Sequence, residues 1–372
     1  MNLSAEIKVN DVTICEYRTV VFAFNPNYVF IHKPTGSTAT KATIGVSVTG
    51  GISKQIEVPL YESINKVYIS KLIQVVCFSD TNFDTDTRWK SFTLSVTIGD
   101  LTGSADVQAV WGVLQFGERW NDIGAFNYDA SRAYFVRNAR WFKNFPFTME
   151  VYLSDDGYYR EYICDGQHIG DIPVEVRPTA YGQIWELDPT LLTNPEINQS
   201  AVFRFFFEDG IFNEPFSTEF IEFNVACIEV NLKVDERKEG VYLRWIDTHG
   251  FIQYWLFYLA QESDKNTLGD KIPAELEYDL QDYGVAYRTT GKTLEKTLKC
   301  AAQALNEEEY NLVLSVVSSP LVDMYVGKSV NDDDLWQPVT INATTNTRNL
   351  KKHGLWDVGI EVVLPTTKTQ EL

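Results

Sequence analysis

The sequence predicts a mainly β, multi-domain chain built from β-sandwiches or barrels. Short stretches of alternating polar and apolar residues recur along it, separated by Gly, Pro, Asn and Asp. Hydrophobic residues make up 44% of the chain and aromatic residues 13%, which is enough material for packed cores. At roughly 100–200 residues per domain, a chain of 372 residues is long enough for two or three domains.

Residues 1–118 are predicted to form a first β-rich domain. Thr43–Thr49 alternates between polar and apolar residues and meets Gly50-Gly51, after which Gln55–Val58 provides a return strand. A glycine turn between two such runs is typical of a hairpin. Two further stretches of this region have strand-like patterns, Phe92–Ile98, which ends at Gly99-Asp100, and Val107–Leu114.

Residues 119–227 are predicted to form a second β-rich domain. Phe147–Leu153 and Tyr158–Tyr162 flank the turn sequence Ser154–Gly157, which predicts a hairpin. Val202–Phe207 is another strand-like run. The pattern leaves open whether 1–227 is one large domain or two smaller ones.

Residues 228–372 are predicted to form a C-terminal β-sandwich with one flanking helix. It opens with an aromatic hairpin, in which Val241–Ile246 and Phe251–Phe257 flank the turn Asp247–Gly250. Strands are also predicted at Pro338–Ile341 and Trp356–Val363.

The flanking helix is predicted near 306–319. Asn306 is a good N-cap, and Glu309 stands three residues later, as a capping box requires. Tyr310, Val313, Leu314 and Val317 share one helical face, and Ser318-Ser319-Pro320 ends the helix.

The charge of the chain argues against a nucleic-acid partner. Its 51 acidic and 32 basic residues leave a formal net charge of −19. An acidic surface repels phosphate, so neither nucleic acid nor an anionic membrane is an expected partner. No apolar run reaches the ~18–20 residues that cross a bilayer, and Met1–Glu6 lacks a signal-peptide pattern. We therefore expect no membrane insertion.

The cysteines predict neither a disulfide framework nor a zinc site. There are five, spread along the chain without a CxxC pair: Cys15, Cys77, Cys164, Cys227 and Cys300. Cys77 lies within the apolar run Val75–Phe78, where it is interpreted as a small buried hydrophobic residue. The pattern suits a chain that folds in a reducing cytosol.

The histidines offer no clear catalytic site. There are four, none at metal-ligand spacing: His32, His168, His249 and His353. Cys164 and His168 could form a nucleophile pair and Asp247 and His249 a catalytic pair, but Asp-Gly and Gly neighbours make turns the better interpretation of both. The sequence also lacks a G-x-S-x-G elbow, a P-loop, an HExxH motif and a G-x-G-x-x-G loop.

Two acidic clusters could bind calcium. They are Asp80, Asp84 and Asp86, and the run Asp332-Asp333-Asp334. Neither has EF-hand spacing, so solvated surface loops are the expected structure. A pair of glycosidase carboxylates can be hidden among 51 acidic residues, because their separation is a three-dimensional property. We predict no catalytic, cofactor-binding or metal-binding residues, no cofactor, and no enzymatic activity.

Four tryptophans near predicted loops could present rings to a sugar, although packing in a core or between subunits is the better interpretation of each. They are Trp120, Trp141, Trp185 and Trp336. A carbohydrate-binding or host-recognition module, with a surface glycan as its ligand, is therefore the alternative function.

Several stretches resemble structural proteins of phages and prophages of Bacteroides-type bacteria. The resemblance covers the last third of the chain and part of the first third, and 119–227 shows none. The stretches that carry it are Gly240–Phe257, Leu305–Glu309, Ser318–Val322, Trp336–Val339, Val363–Gln370 and Val110–Glu118.

The resemblance implies a virion structural protein of the tail or baseplate type. Such a protein is made in the host cytoplasm and becomes part of the virion. Its expected partners are copies of itself in a ring, together with other tail or virion proteins. Subunits of this kind associate through strand edges and aromatic patches.

Overall fold

The chain is mainly β and multi-domain, as the sequence predicts. The structure is a computed structural model that describes residues 4–115, 134–153, 158–164, 167–170, 175–179, 182–191, 199–207, 227–273, 287–342 and 355–368. Two compact units divide the chain: unit 1 is Met1–Arg237 with Ile246–Ile252, and unit 2 is Lys238–Trp245 with Gln253–Leu372. The three-domain division at 118 and 227 stays a prediction.

Strands dominate the described part of unit 1. They are β1 Ser4–Val9, β2 Val12–Arg18, β3 Val20–Phe22, β4 Tyr28–His32, β5 Lys41–Ser47, β6 Ser53–Pro59, β7 Ile64–Tyr68, β8 Trp89–Ile98, β9 Leu101–Val110, β10 Tyr134–Phe142, β11 Met149–Leu153, β12 Tyr158–Cys164, β13 Gln167–Gly170, β14 Glu175–Thr179, β15 Gly182–Leu187, β16 Ser200–Phe207 and β17 Cys227–Asp235. Its helical segments are α1 Ser70–Cys77, α2 Thr85–Arg88 and a 3₁₀ turn at Pro189–Leu191.

The N-terminal part of unit 1 is a β-sandwich. The sheet β1-β2-β4-β7 and the sheet β3-β9-β8-β5-β6 share one hydrophobic core. The predicted hairpin is confirmed, since β5 pairs with β6. The predicted strand Phe92–Ile98 lies within β8, which pairs with β9. Their alternation places Ile44 and Val46 of β5 in the core beside Leu94 and Val96 of β8, because successive side chains of a strand point to opposite faces.

The helix α1 was missed by the sequence argument. Its residues Ile73, Val76 and Cys77 are buried against the sandwich. A run of eight residues with β-branched members is short enough to be taken for a strand. The interpretation of Cys77 as a buried hydrophobic residue is confirmed.

The rest of unit 1 forms two further sheets, and here one prediction is wrong. The first has the order β10-β17-β16-β12-β13 and the second β11-β15-β14. Phe147–Leu153 and Tyr158–Tyr162 are therefore not a hairpin: among the described strands, β11 pairs with β15, whereas β12 pairs with β13 and β16. A turn sequence between two strands does not determine partnership when other strands compete for their edges.

Unit 2 is built on one large sheet. Its strands are β18 Val241–Ile246, β19 Ile252–Leu268, β20 Lys271–Pro273, β21 Tyr287–Thr289, β22 Lys292–Leu305, β23 Val322–Lys328, β24 Asp334–Pro338, β25 Thr340–Asn342, β26 Trp356–Val363 and β27 Thr367–Lys368, of which Ile246 and Ile252 belong to unit 1. The sheet order is β24-β23-β18-β19-β22-β26-β25, β27 pairs with β22, and β20 and β21 form a separate ribbon. The single strand predicted at Pro338–Ile341 is two strands that meet at Val339.

The predicted helix is α3, Glu307–Leu314, followed by a 3₁₀ turn at Ser315–Val317. Its capping box is confirmed, since the Asn306 side chain accepts a hydrogen bond from the Glu309 N–H and the Glu309 carboxylate accepts one from the Asn306 N–H. Tyr310 and Val313 are buried. Within the described ranges, no helix is long and apolar enough to cross a bilayer.

Candidate functional site

A pair of strands in unit 2, which we call the β arm, is exposed along the whole of its first strand. It comprises Leu259–Leu268 of β19 and Lys292–Lys299 of β22. The first six residues of β19 are buried, and every residue from Tyr258 to Leu268 is exposed. The second half of β19 therefore continues the sheet beyond its core.

The side chains of the β arm suit a ribbon with water on both faces. On one face, Lys296 lies opposite Asp264 and forms an ion pair with Glu262. On the other face, Lys265 lies opposite Glu295. Opposite charges across a strand pair stabilise it modestly. A strand whose backbone is paired along one edge only can gain hydrogen bonds from a further strand, and the exposed part of β19 is such a strand.

One edge of the β arm is open within the described part of the chain. On the β22 side, β27 pairs with Thr293 and Leu294, and β26 pairs with Thr297–Lys299. On the β19 side the sheet neighbour is β18, which has six residues and ends at the turn Asp247–Gly250. A strand that short spans only the buried first part of β19. The backbone groups along the outer edge of Leu259–Leu268 can therefore accept another strand.

Apolar side chains accompany this open edge. Leu259 is 48% exposed and Leu268 55%. Ile272 and Tyr287, in the ribbon of β20 and β21, are also exposed. Exposed apolar side chains along an open strand edge favour contact with another protein.

Unit 1 holds a different kind of polar cluster, centred on the buried ion pair of Arg88 and Glu150. The two side chains are 0% and 1% exposed, respectively. The Arg88 guanidinium donates to both carboxylate oxygens of Glu150, at 2.9 Å from Nη1 to Oε2 and 2.6 Å from Nη2 to Oε1. Such a bidentate pair is among the stronger charge-assisted contacts in proteins.

Contacts with neighbouring segments of unit 1 complete this cluster. Arg88 also donates to the carbonyl oxygens of Gly250, at 2.5 Å, and Phe83, at 3.1 Å. Glu150 accepts from the Thr85 hydroxyl at 2.8 Å and from the Ile252 N–H at 3.2 Å. The ion pair therefore joins α2, β11 and the segment Ile246–Ile252 within unit 1.

The environment of Glu150 does not suit acid–base catalysis. Burial by itself would raise the pKa of Glu150, but the charge and hydrogen bonds of Arg88, with those of Thr85 and Ile252, lower it below its usual value. A carboxylate held ionised by a buried arginine has little capacity to exchange protons near neutral pH. Its arrangement is that of a structural ion pair.

Glu186 lies directly opposite Glu150 in the register of β11 and β15. Burial raises the pKa of Glu186, the Glu150 charge raises it further, and Arg177 partly offsets both. The pKa of Glu150 is thus lowered while that of Glu186 is raised, and acid–base enzymes use pairs of carboxylates whose pKa values differ in this way. Glu150 is already bound to Arg88, however, so the pair lacks a carboxylate available to a substrate.

We expect Glu186→Gln to stabilise unit 1 at neutral pH. Because the pKa of Glu186 is raised on folding, its ionised form is disfavoured in the folded state, and this penalty is present above the folded pKa. The penalty declines as the pH falls and is absent below the unfolded pKa, near 4.5. Urea unfolding should show a higher midpoint for the variant at pH 7 and equal midpoints at pH 4. The opposite order at pH 7 would contradict the assignment.

Unit 2 contains an aromatic cluster on one side of its sheet. Tyr242 and Tyr254 stack with ring centroids 6.0 Å apart, and Trp336 lies 5.3 Å from Tyr325. The Arg244 guanidinium is 4.3 Å from the Trp336 ring centroid, and Asp323 holds it with a 2.8 Å hydrogen bond. A sugar would need that ring face open, so this contact favours packing over glycan binding for Trp336.

A second aromatic group lies on the outer face of β4 and β7. The ring centroids of Tyr28 and Phe30 are 5.3 Å apart, and those of Tyr28 and Tyr68 are 6.0 Å apart, both pairs edge to face. The Lys66 ammonium lies 3.9 Å from the Tyr28 centroid. Rings set edge to face with a cation over one of them do not form the flat platform on which sugars stack.

The histidines whose side chains the structure describes, His32 and His249, lie in separate places. The Asp247 carboxylate accepts hydrogen bonds from the N–H groups of His249 and Phe251, which confirms the turn at this position. His32 Nε2 is 2.9 Å from Glu16. His168 lies on β13 opposite Ile163, and the Asp165-Gly166 turn and His353 fall outside the described residues.

Aspartates of both acidic clusters form ion pairs, and two of the tryptophans are buried in the fold. Among the described residues, no group of three or more His, Cys, Asp or Glu side chains could hold a metal ion. Asp80 contacts Lys90, Asp86 contacts Arg177, and Asp332 contacts Lys328. Trp141 and Trp185 are buried, and Trp120 lies outside the described ranges.

The cysteines whose side chains the structure describes are poor nucleophiles. Cys15, Cys77 and Cys300 are buried and free. Burial raises the pKa of each thiol to about 12, so the reactive thiolate is scarce at neutral pH.

Comparison with known proteins assigns no family. No protein-family model matches the chain, and no curated protein matches it. Among solved structures, an I-band fragment of titin matches with a TM-score of 0.16 and 9% identity, over 75% of this chain and 89% of that chain. The extracellular domains 3–5 of Drosophila OTK match with a TM-score of 0.18 and 8% identity, over 75% and 89%.

A third match is the N-terminal eight Ig domains of the Down Syndrome Cell Adhesion Molecule. Its TM-score is 0.17 at 9% identity, and the match covers 98% of this chain and 37% of that chain. At these TM-scores the likeness carries neither a fold family nor a function. The mainly β description rests on the strands themselves.

Sequence reasoning missed both notable features, the β arm and the Arg88–Glu150 pair. The predicted return strand ended at Phe257, where the aromatic run ends, but β19 continues to Leu268. The polar stretch Gln261–Thr267 gave a weak signal, since it contains neither Gly nor Pro over a length typical of a strand. Arg88 and Glu150 are 62 residues apart, and no local pattern relates them.

Proposed function

We propose that this chain is a structural assembly protein, a virion component of the tail or baseplate type that associates with copies of itself in a ring. The observation that carries the proposal is the open, exposed edge of the β arm. A long strand with an unpaired edge is a liability in a monomer, and proteins normally shorten, cover or bend such an edge. An assembly subunit has a use for it, because a strand from a neighbour can complete the sheet.

The sequence resemblance supports the same proposal. Gly240–Phe257, its most extensive stretch, is the hairpin of β18 and β19, and β19 runs directly into the β arm. The strongly negative net charge suits a subunit that must stay soluble before it assembles. We also propose that the chain has no catalytic role, because Glu150, the buried member of the facing carboxylate pair, is bound to Arg88.

The alternative, a carbohydrate-binding module, has less support. It needs open aromatic faces beside carboxylates, whereas Arg244 lies over Trp336 and Lys66 over Tyr28. A screen of the purified protein against a panel of glycans tests it, and specific binding would favour it over the assembly role.

The proposal is tested by the mass of the intact protein in solution. Size-exclusion chromatography with light scattering, over a wide range of protein concentration, should give a defined multiple of the chain mass. Electron microscopy of that species should show a closed symmetric particle. A protein that remains monomeric at the highest concentrations would contradict an assembly role.

A further inference from the structure

Two strand edges that have no neighbouring strand within the described ranges carry complementary charge. The first is the outer edge of the β arm, where Glu262 and Asp264 lie on the same face of β19. Lys296 is close to both and neutralises part of their charge, since it lies opposite Asp264 and forms an ion pair with Glu262. This face still favours an incoming cation, because two carboxylates share one ammonium.

The second open edge is β7, the last strand in the order β1-β2-β4-β7. Three residues of β7 point outward: the apolar Ile64, the cationic Lys66 and the aromatic Tyr68. Ile64 is 49% exposed, Tyr68 is 62% exposed, and Lys66 lies between them. A lysine on an edge strand usually keeps other strands away, but here its ammonium is folded back over the Tyr28 ring. The edge of β7 is thus apolar at both ends with one movable cation at its centre.

Pairing of the β arm with its own copy is disfavoured by charge in the registers centred on its charged residues 262–265. In an antiparallel pair with a two-fold axis, a residue at the axis lies opposite its own copy, and residues on either side pair across it. Centring the pair on Glu262, Asp264 or Lys265 therefore places like charges opposite each other. Centring it on Ser263 places Glu262 opposite Asp264. Like charges directly opposite destabilise a strand pair.

Two other described edges, β6 in unit 1 and β24 in unit 2, fit the β arm less well. β6 ends in Pro59, and its Glu57 is bonded to Lys41 at 2.8 Å. β24 begins with Asp334 and ends with Pro338. A proline removes a backbone donor, and an acidic edge would repel Glu262 and Asp264.

We propose that the β arm of one copy adds as an antiparallel strand to the β7 edge of the next copy, with Asp264 opposite Lys66. In that register Glu262 lies opposite Tyr68 and next to Lys66 on the same face, so one ammonium contacts two carboxylates. The contact joins different surfaces of the two copies, so it repeats from copy to copy and generates a ring when the rotation closes. This inference rests on the proposed assembly function and names the contact that would produce it.

A charge exchange tests the contact. Lys66→Glu and Asp264→Lys each place like charges opposite each other, and each should weaken the contact roughly tenfold, as replacing cross-strand attraction with repulsion does. The double variant Lys66→Glu with Asp264→Lys should restore assembly. Mixing the two single variants should also restore it, because each copy then meets a complementary edge on its neighbour. Sedimentation velocity across a concentration series measures all four.

Matched controls separate this effect from general changes in charge or folding. Lys54→Glu on the edge strand β6 and Asp100→Lys in the turn between β8 and β9 make the same charge changes at exposed positions. Both should leave assembly unchanged. Far-ultraviolet circular dichroism and thermal unfolding should show that every variant is folded, since Lys66 and Asp264 are exposed.

The outcomes distinguish this contact from the assembly function itself. If the wild-type protein assembles and Lys66→Glu assembles equally well, the β7 contact is overturned and the assembly function stands. If each single variant assembles weakly and the double variant does not restore assembly, the direct pairing of Lys66 with Asp264 is overturned. A monomeric wild-type protein would overturn both proposals.

Discussion

Replacement of Arg88 by methionine is expected to lower the free energy of unfolding of unit 1 by about 3–5 kcal/mol, the cost of breaking a buried ion pair. The variant keeps most of the side-chain volume but leaves Glu150 buried without its cation, so the carboxyl must carry an unpaired charge or take up a proton. It also removes the donors to the carbonyl oxygens of Gly250 and Phe83. Urea unfolding monitored by circular dichroism, with hydrogen exchange of the strands of unit 1, measures the loss.

A matched control is Lys41→Met, which breaks the exposed pair of Lys41 with Glu57. Exposed pairs contribute about 0–1 kcal/mol, so this control should change stability little. The double variant Arg88→Met with Glu150→Gln should lose less stability than the sum of its single variants, because the two residues share one network. A loss in Arg88→Met no larger than that of the control would contradict the structural role of the pair.

The same pair predicts a pH dependence. The pKa of Glu150 is lowered on folding, so its contribution to stability is fully present above the unfolded pKa, near 4.5. The contribution is lost as the pH falls below that value towards the folded pKa. The stability difference between the wild-type protein and Arg88→Met should therefore be largest near neutral pH and should shrink in acid. A difference that grows in acid would contradict this sign.

Shortening the β arm is expected to abolish assembly while unit 2 remains folded. Joining Ser263 to Thr297 through a two-residue Asn-Gly turn removes residues 264–296, and these two residues already lie opposite each other. Asn-Gly forms the turn that suits a two-residue hairpin. The variant keeps the buried first part of β19, together with Leu298 and Cys300 of β22, which are also buried. The core of the unit 2 sheet is therefore preserved.

Light scattering measures the result directly. The wild-type protein should give a defined oligomer, and the shortened variant should elute as a monomer with a similar unfolding temperature. Loss of assembly together with loss of the thermal transition would indicate misfolding, in which case the single substitution Asp264→Lys provides the measurement. A folded, shortened variant that assembles to the wild-type size would contradict the role of the β arm.

Much of the local structure could be predicted from the sequence. The hairpin of β5 and β6 follows from alternation around Gly50-Gly51, and the α3 capping box follows from Asn306 and Glu309. These features depend on residues within a few positions of one another, so a local pattern is sufficient. The strand pairing of β11 could not be predicted, because its partner β15 lies about thirty residues away and competes with the nearer strand β12.

The candidate site, too, is partly predictable from local sequence and partly dependent on distant segments. The sequence indicates the aromatic hairpin that leads into the β arm, but the polar alternation of Gln261–Thr267 is equally typical of a loop. Its identity as a strand depends on the register with β22, about thirty residues further along the chain. Likewise, Arg88 and Glu150 look like ordinary surface residues in the sequence, since charged side chains are seldom fully buried unless paired.

The sequence by itself determined that this protein is mainly β, strongly acidic, without a recognisable catalytic motif, and capped at α3 as predicted. Only the tertiary structure decided which strands pair, that Arg88 and Glu150 meet in the interior, and that β19 extends past its core with an open edge. The physical reason is the range of the interactions. Alternation and capping act between near neighbours, whereas burial of a charge and exposure of an edge depend on distant segments that fold against them.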